Sequence, residues 1–387
     1  MLKPRRYNHS FVPGKGMPAG DSPRFSIFAT ADIGEAALAR LRRYGYEVEV
    51  YPSPEPPPKN VIVEKVRSGI DGLITTLRDK IDEEVFAAGD GTLKAVAQYA
   101  VGVDNIDRTA ANRHKIPFTH TPDVLTEATA EFAFFMLADL ARRLWSAEKM
   151  VRENRWGFWH PYLPFLGDEV TGKTIAIIGT GRIGQAMAKK CSGFDMNILC
   201  YHPTRQDAKF VEALQAVMDL RHRSGLQRER TTVRYTSLED ALREADFVSV
   251  HVPLVREGAN ATYHLFNETT LRMMKPTAYL VNTARGAVID DAALVRALKE
   301  HWIAGAALDV FETEPLPSDS PLRDPELEEQ LRLYPHIGSA GRVTRLSADP
   351  NGGMAGRTVQ GLIDVLEENY GGDIQKMPWV VNKEAFR

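Results

Sequence analysis

The chain has 387 residues, enough for two or three domains at about 150 residues each, and 43% hydrophobic and 26% charged residues make an ordinary globular balance. A formal net charge of −3 gives no reason to expect a nucleic acid or an anionic membrane as partner. No apolar run approaches the ~18 residues of a membrane span, and the two cysteines, Cys191 and Cys200, read as small buried hydrophobes of a reducing, cytoplasmic compartment, not as a disulfide or a metal site.

The first 23 residues are rich in Gly, Pro and basic side chains (Lys3, Arg5, Arg6). They lack the apolar core of a secretory signal and oppose the amphipathic helix of an organelle signal, so they read as a disordered tail. From there strand and helix patterns alternate, which predicts an α/β protein with parallel sheets. Phe25–Ala29 is a strand, Ile33–Tyr44 a helix with Ile33, Ala37, Leu38 and Leu41 on one face, and Glu47–Tyr51 a second strand. Pro52–Pro58 is a stiff connector. Further strands are predicted at Gly72–Thr75, Leu93–Ala97 and Pro117–Thr119. Thr126–Asn154 reads as one long helix capped by Thr126, with Phe132, Phe135, Met136, Leu140, Leu144 and Ala147 spaced for burial. An aromatic loop follows, with Trp156, Phe158, Trp159 and Tyr162. It fits either a satellite hydrophobic cluster or a contact with a second subunit.

Residues 174–184 carry the most information. The apolar run Ile175–Ile178 is a buried parallel strand, it ends in Gly179-x-Gly181-x-x-Gly184, and a helical pattern follows. That context is the one a dinucleotide fingerprint requires. Gly179 allows the tight turn, Gly181 a close backbone approach to a pyrophosphate, Gly184 close packing of helix on strand, and the helix N-terminus offers N–H groups to phosphate. Strands at Asn197–Tyr201, Phe247–Val252, Ala278–Asn282 and Ala304–Asp309 alternate with helices at Gln185–Ser192, Ser237–Ala245 and Asp291–Lys299. Six strands of this kind make a doubly wound sheet. The Arg-rich connection from Thr204 to Tyr235 reads as a solvated face, and Val343–Tyr370 as a final helical stretch returning to the first domain.

An NAD site usually places Asp or Glu about 20 residues past the glycines. Here the second strand ends Tyr201-His202-Pro203-Thr204-Arg205, with no carboxylate, and Asp195 lies at the wrong end. Arg205 suits a 2′-phosphate, with His202 and Thr204 adding bonds, so NADP is favoured over NAD.

Three polar clusters stand at strand ends: Asn282-Thr-Ala-Arg285, Leu308-Asp309 through Glu312 and Glu314, and Pro335-His336. A histidine, an arginine and carboxylates beside a dinucleotide provide an acid/base, an anion anchor and a partner for the base. Together with Ala97-Gln-Tyr-Ala-Val-Gly-Val-Asp-Asn-Ile-Asp107, Thr121-Pro-Asp-Val-Leu-Thr126, Phe165-Leu-Gly167, His251-Val-Pro253 and Val381-Asn-Lys383, these stretches resemble the D-isomer-specific 2-hydroxyacid dehydrogenases. The likeness is greatest to their glyoxylate/hydroxypyruvate reductase branch and spans Phe25 to Lys383. It departs from the family pattern at Gly341, where a Thr is usual.

The resemblance implies two Rossmann-like doubly wound domains, the nucleotide-binding one (123–338) inserted into a flavodoxin-like substrate-binding one (24–122 and 339–387). It implies catalysis by Arg285, Glu314 and His336, with no metal. His336 would give a proton to the carbonyl oxygen of a small 2-oxo acid such as glyoxylate or hydroxypyruvate; Glu314 would favour its imidazolium, and Arg285 would polarise the carbonyl and grip the carboxylate. Backbone N–H groups near Val101 and Gly102 would bind that carboxylate. Asp309 would contact the nicotinamide carboxamide, and Arg182, Ile183, Pro253 and Thr283 would complete the coenzyme contacts. Trp159 resembles an aromatic that related reductases donate from a partner, in a homodimer built on the 126–154 helix and the 156–166 loop. Phosphite dehydrogenases share the Arg/Glu/His set, and corepressor relatives keep the fold without an enzyme's role, so both stay open at this stage.

Overall fold

The computed structural model describes residues 23–162 and 166–387. All but the last residue of the expected tail lies outside that range, as do residues 163–165 of the aromatic loop. The chain divides into two compact units, one ending at Val124 and resuming at Arg342, the other running Leu125–Gly341.

The first unit opens with β1 (Ser26–Ala29), α1 (Glu35–Arg43), β2 (Glu47–Val50), α2 (Lys59–Arg67), β3 (Gly72–Thr75), α3 (Glu83–Ala88), β4 (Ala95–Gln98), α4 (Arg108–Arg113) and β5 (Phe118–Thr119). The sheet is parallel throughout, in the order β2-β1-β3-β4-β5. Every residue of β3 and β4 is buried. Helices cover both faces of such a sheet, so its central strands read as apolar runs without alternation. The loop after β3 is held by Asp79, 2% exposed. One of its oxygens accepts the Thr76 N–H (2.6 Å) and the Thr30, Thr75 and Thr76 hydroxyls.

The second unit begins with α5 (Thr126–Arg142) and α6 (Leu144–Arg152), where one helix was expected. Arg143 stands between them at φ 52°, and the Asp139 carboxylate accepts the Trp145 N–H (3.1 Å), which starts a new helix. Thr126 makes no cap bond, and Phe135 and Leu144, expected inside, are 58% and 54% exposed. Then come β6 (Thr174–Ile178), α7 (Arg182–Gly193), β7 (Asn197–Tyr201), α8 (Ala208–Arg223), β8 (Val233–Tyr235), α9 (Leu238–Glu244), β9 (Phe247–Val250), α10 (Glu268–Leu271), β10 (Tyr279–Asn282), α11 (Asp291–Lys299), β11 (Gly305–Leu308) and β12 (Leu331–Leu333).

This parallel sheet has seven strands, ordered β12-β11-β10-β9-β6-β7-β8, not six. Of its strands, β12 was given no range from the sequence and β8 was not expected at all. The Arg-rich connection that hides it is ordered structure: Asp207 caps α8 by accepting the Phe210 N–H (3.1 Å), and β8 pairs with β7. Alternate residues of β6 feed two cores, Ala176 and Ile178 on one face and Ile175 and Ile177 on the other. Cys191 and Cys200 are buried free thiols, pushed up by desolvation and so unreactive.

The chain returns to the first unit through α12 (Arg342–Leu346) and α13 (Met354–Leu366). The single helical stretch expected over 343–370 is broken at Pro350, which cannot continue a helix, and by Gly352 and Gly353.

Candidate active site

The order of the seven-stranded sheet reverses between β6 and β9, and ligands of doubly wound sheets bind at such a switch point, beyond the carboxyl ends of the strands. The glycine turn occupies that place. Gly179 has φ +101°, and a Cβ there would lie 2.7 Å from the His251 carbonyl oxygen. A Cβ on Gly184 would collide with the Gly179 carbonyl, so this glycine sets how closely α7 approaches its strand. Gly181, the residue before α7, faces open space. Among the described residues the Ile183 and Gly184 N–H groups have no acceptor. The first two glycines shape the turn or leave room above it, and the helix end supplies donors, an arrangement that fits a pyrophosphate. Arg182 is exposed on the first turn of α7.

After β7 the chain forms a short loop. His202 Nδ1 accepts the Thr204 and Arg205 N–H groups (3.2 and 3.0 Å), which puts the ring proton on Nε2. Burial first, then the Arg205 charge, holds His202 below its usual range. Arg205 is exposed, and the next carboxylate, Asp207, is the cap of α8. Three other arginines of this region serve the fold: Arg221 pairs with Asp195 (2.8 Å), Arg230 with Asp219 (2.9 Å) and Arg234 with Glu244 (2.6 Å). Pro253 is exposed with its carbonyl bonded to the Thr262 hydroxyl (2.6 Å), and the Thr283 hydroxyl is buried with no partner among the described residues.

The register places Asn282, Leu308 and Leu333 side by side at the ends of β10, β11 and β12, so the three loops that follow leave the sheet together. Arg285, Glu314 and His336 stand in these loops. Glu314 Oε2 lies 2.7 Å from His336 Nδ1, with the two side chains 28% and 31% exposed, and Glu314 Oε1 accepts the Phe311 N–H (3.0 Å). Burial works to raise the Glu314 carboxyl, but the His336 hydrogen bond and charge, the Phe311 N–H and the Arg285 charge more than offset it. The group is therefore held below the usual carboxylate range and is an anion at neutral pH. Among the described residues no three His, Cys, Asp or Glu side chains converge as metal ligands would.

Three supports of this corner were not assigned that role from the sequence. Asn282, fully buried, accepts the Ala284 N–H and donates to the Arg285 carbonyl, both at 2.9 Å. A Cβ on Gly286 would fall inside the backbone of Phe311 and Glu312, so only glycine lets the Arg285 loop lie against the Glu314 loop. Asp309, expected to touch a coenzyme, is 1% exposed. Its two oxygens accept the Ile337 and Gly338 N–H groups, each at 2.7 Å, and its carbonyl accepts the His336 N–H (2.9 Å). It positions His336, which sits at φ 53°, a left-handed conformation that persists because these bonds define the turn. Burial pushes the Asp309 carboxyl up, against the two N–H donors.

In the other unit, Val101 and Gly102 follow β4, and their N–H groups have no acceptor among the described residues. The Val101 carbonyl lies 3.0 Å from His120 Nδ1, and the Gly102 carbonyl accepts Gln98 Nε2 (3.2 Å). Trp159 is 73% exposed, with Trp156 and Phe158 beside it in sequence at 51% and 73%, so these three side chains make no satellite core among the described residues.

Residues 134–338 match the model of the D-isomer specific 2-hydroxyacid dehydrogenase NAD-binding domain. A glyoxylate reductase of Korarchaeum cryptofilum is 46% identical over 320 residues, 82% of this chain and 88% of that protein. The chain belongs to the D-isomer specific 2-hydroxyacid dehydrogenase family. Among solved structures, a Thermus thermophilus protein superposes with TM-score 0.77 at 39% identity, covering 92% of this chain and 99% of that one. An NADPH-dependent glyoxylate/hydroxypyruvate reductase of Sinorhizobium meliloti, in complex with NADP and malonate, gives TM-score 0.71 at 27% identity, with coverages of 94% and 98%.

As a member of that dehydrogenase family the protein is an NAD(P)-dependent oxidoreductase. The supports of its polar corner left faint signals in the sequence. Asn282 and Gly286 flank Arg285 in one short stretch, and a buried Asp next to a strand end is a costly residue that usually holds backbone.

Proposed function

We propose that the protein reduces a small 2-oxo acid, glyoxylate or hydroxypyruvate, to the D-2-hydroxy acid with NADPH. The observation that carries the reading is the 2.7 Å contact of Glu314 with His336 Nδ1, beside Arg285 and on the same carboxyl edge as the glycine turn. Glyoxylate reduction is what the curated relative is named for, and the Sinorhizobium neighbour supports NADPH.

A bound nicotinamide supplies the hydride. With Nδ1 engaged by Glu314, His336 gives the carbonyl oxygen a proton from Nε2, and the carboxylate, anionic at neutral pH, holds the ring in place. Arg285 polarises the carbonyl and balances the substrate's carboxylate, which a two-pronged guanidinium holds better than an ammonium does. The Val101 and Gly102 N–H groups are assigned as further carboxylate donors. Arg205, with no competing carboxylate in its loop, is assigned to the 2′-phosphate. Exposed Trp156, Phe158 and Trp159, with Phe135 and Leu144 on α5 and α6, support a homodimer through this face, a state that sedimentation of the purified protein reads directly.

NADPH and NADH oxidation with glyoxylate, hydroxypyruvate, pyruvate and phenylpyruvate tests the reading. Higher kcat/KM for NADPH with one of the first two acids is expected. A clear NADH preference overturns the coenzyme assignment, and no turnover with any of the four acids overturns the substrate assignment.

A further inference from the structure

Strand β8 brings a tyrosine to the coenzyme end of the sheet. Tyr235 is the last residue of β8 and lies level with Cys200 of β7, at the carboxyl edge. Its ring packs partly buried on the apolar core beneath α7. Its hydroxyl lies 3.0 Å from Thr180 Oγ1, inside the glycine turn, and accepts the Asp207 N–H at 2.9 Å. Asp207 closes a ring of bonds. One oxygen accepts Gln185 Nε2 from α7 (3.2 Å), and the same Nε2 reaches the Thr180 carbonyl (3.4 Å). The other accepts the Phe210 N–H, capping α8.

The loop between Tyr201 and Asp207 is thus fixed at both ends, by the sheet and by this ring. Its middle is fixed as well, since His202 Nδ1 takes the Thr204 and Arg205 N–H groups. Those two N–H groups are consumed inside the loop and cannot serve a phosphate. What the loop presents outward is the exposed Arg205 side chain. A long, flexible cation gains selectivity only when its backbone is set in advance, because the ordering cost is then already met.

We propose that Tyr235 is a positioning residue for coenzyme selectivity: its hydroxyl holds the 202–207 loop against the glycine turn so that Arg205 meets the 2′-phosphate. This rests on the NADPH reading above. Tyr235 itself touches no coenzyme atom in this account; it acts through Asp207 and the loop. A Tyr235→Phe change keeps the ring's packing and removes both hydroxyl bonds. Its effect should fall on ligands that carry the 2′-phosphate and spare those that do not.

Calorimetric Kd values for 2′,5′-ADP and 5′-AMP, measured on wild type, Tyr235→Phe, Arg205→Ala and the double variant, test this. Wild type is expected to bind 2′,5′-ADP about ten- to a hundredfold more tightly than 5′-AMP. Tyr235→Phe is expected to weaken 2′,5′-ADP about three- to tenfold and 5′-AMP less than twofold. In the Arg205→Ala background it should do nothing more, because the two residues act as a unit. Equal weakening of both nucleotides, or an effect additive with Arg205→Ala, assigns Tyr235 to the fold alone and overturns the proposal. An unchanged preference in Tyr235→Phe does the same. Absence of any preference in wild type overturns the NADPH reading first, and the proposal with it.

Discussion

The glycine turn after β6 and the polar corner beyond β10, β11 and β12 sit on the same edge of one sheet and are made in opposite ways. The turn is a single short stretch whose shape is set by missing side chains: Gly179 at φ +101° against His251, Gly184 against Gly179, Gly181 facing open space. The corner is assembled from three separate loops, and its shape is set by side chains that are present and buried. Asn282 holds the Arg285 loop, Asp309 holds the His336 turn, and Glu314 spans to His336. Gly286 is the one place where the corner uses the turn's device, a close backbone approach. A site made of backbone tolerates no added atom, whereas a site made of buried polar groups tolerates no lost bond.

The largest effect should come from adding a methyl group where backbone meets backbone. Gly286→Ala and Gly184→Ala each place a Cβ into main-chain atoms, and melting temperature is expected to fall by about 3–10 °C in each. Gly286→Ala should also lower kcat by about a hundredfold, because it separates Arg285 from Glu314. Gly181→Ala meets open space, so it should melt like wild type and weaken only coenzyme binding. Equal melting losses at all three glycines would erase the distinction.

Removing one bond from the corner comes next. Asp309→Asn leaves one acceptor oxygen for two N–H groups, and an unmet buried donor costs about 1–3 kcal/mol. Turnover should drop about ten- to a hundredfold with coenzyme Kd unchanged, since Asp309 is 1% exposed. A large rise in coenzyme Kd would restore Asp309 to direct contact.

Glu314→Gln keeps the shape of the corner and removes its charge. The rate is expected to fall about tenfold at neutral pH. Stability carries a second sign. A carboxyl held below its ordinary 4.5 adds stability above that value and loses it as pH falls through the lower folded value. Melting temperature below pH 4.5 should therefore fall less steeply in Glu314→Gln than in wild type.

The smallest effect belongs to the turn's neighbour. Burial holds His251 down at about 4, with Nε2 bonded to Ser249 Oγ (2.9 Å). The unfolded chain binds a proton near pH 6.5 that the folded one refuses, so stability falls as pH drops from about 6.5 toward 4. His251→Gln should flatten the difference in melting temperature between pH 7.5 and 4.5 by a few degrees.

The same contrast explains what could be read in advance. The turn was legible because all its determinants lie within six residues between a strand and a helix. Gly72–Thr75, Asn197–Tyr201 and Asp291–Lys299 were legible to the residue, as buried strands bounded by turns and a helix with acidic caps. The corner was legible as residue types at strand ends, but the sequence does not show that β10, β11 and β12 are neighbours in that order. Nor does it show that Asp309 turns inward to backbone. β8 was missed because three residues with Arg234 at the centre make no apolar run, and the break at Arg143 because Asp139 caps α6 from inside α5. Local pattern stops where a side chain bonds to a neighbour that only the fold supplies.

The central claim is that the corner does the proton chemistry and the turn only holds the coenzyme. Steady-state kcat of His336→Ala, measured with coenzyme Kd on the same preparation, tests it most directly. The account predicts a fall of about 10²–10⁴ in kcat with Kd within twofold of wild type. Near-normal turnover, or a loss that follows weakened coenzyme binding alone, would contradict it.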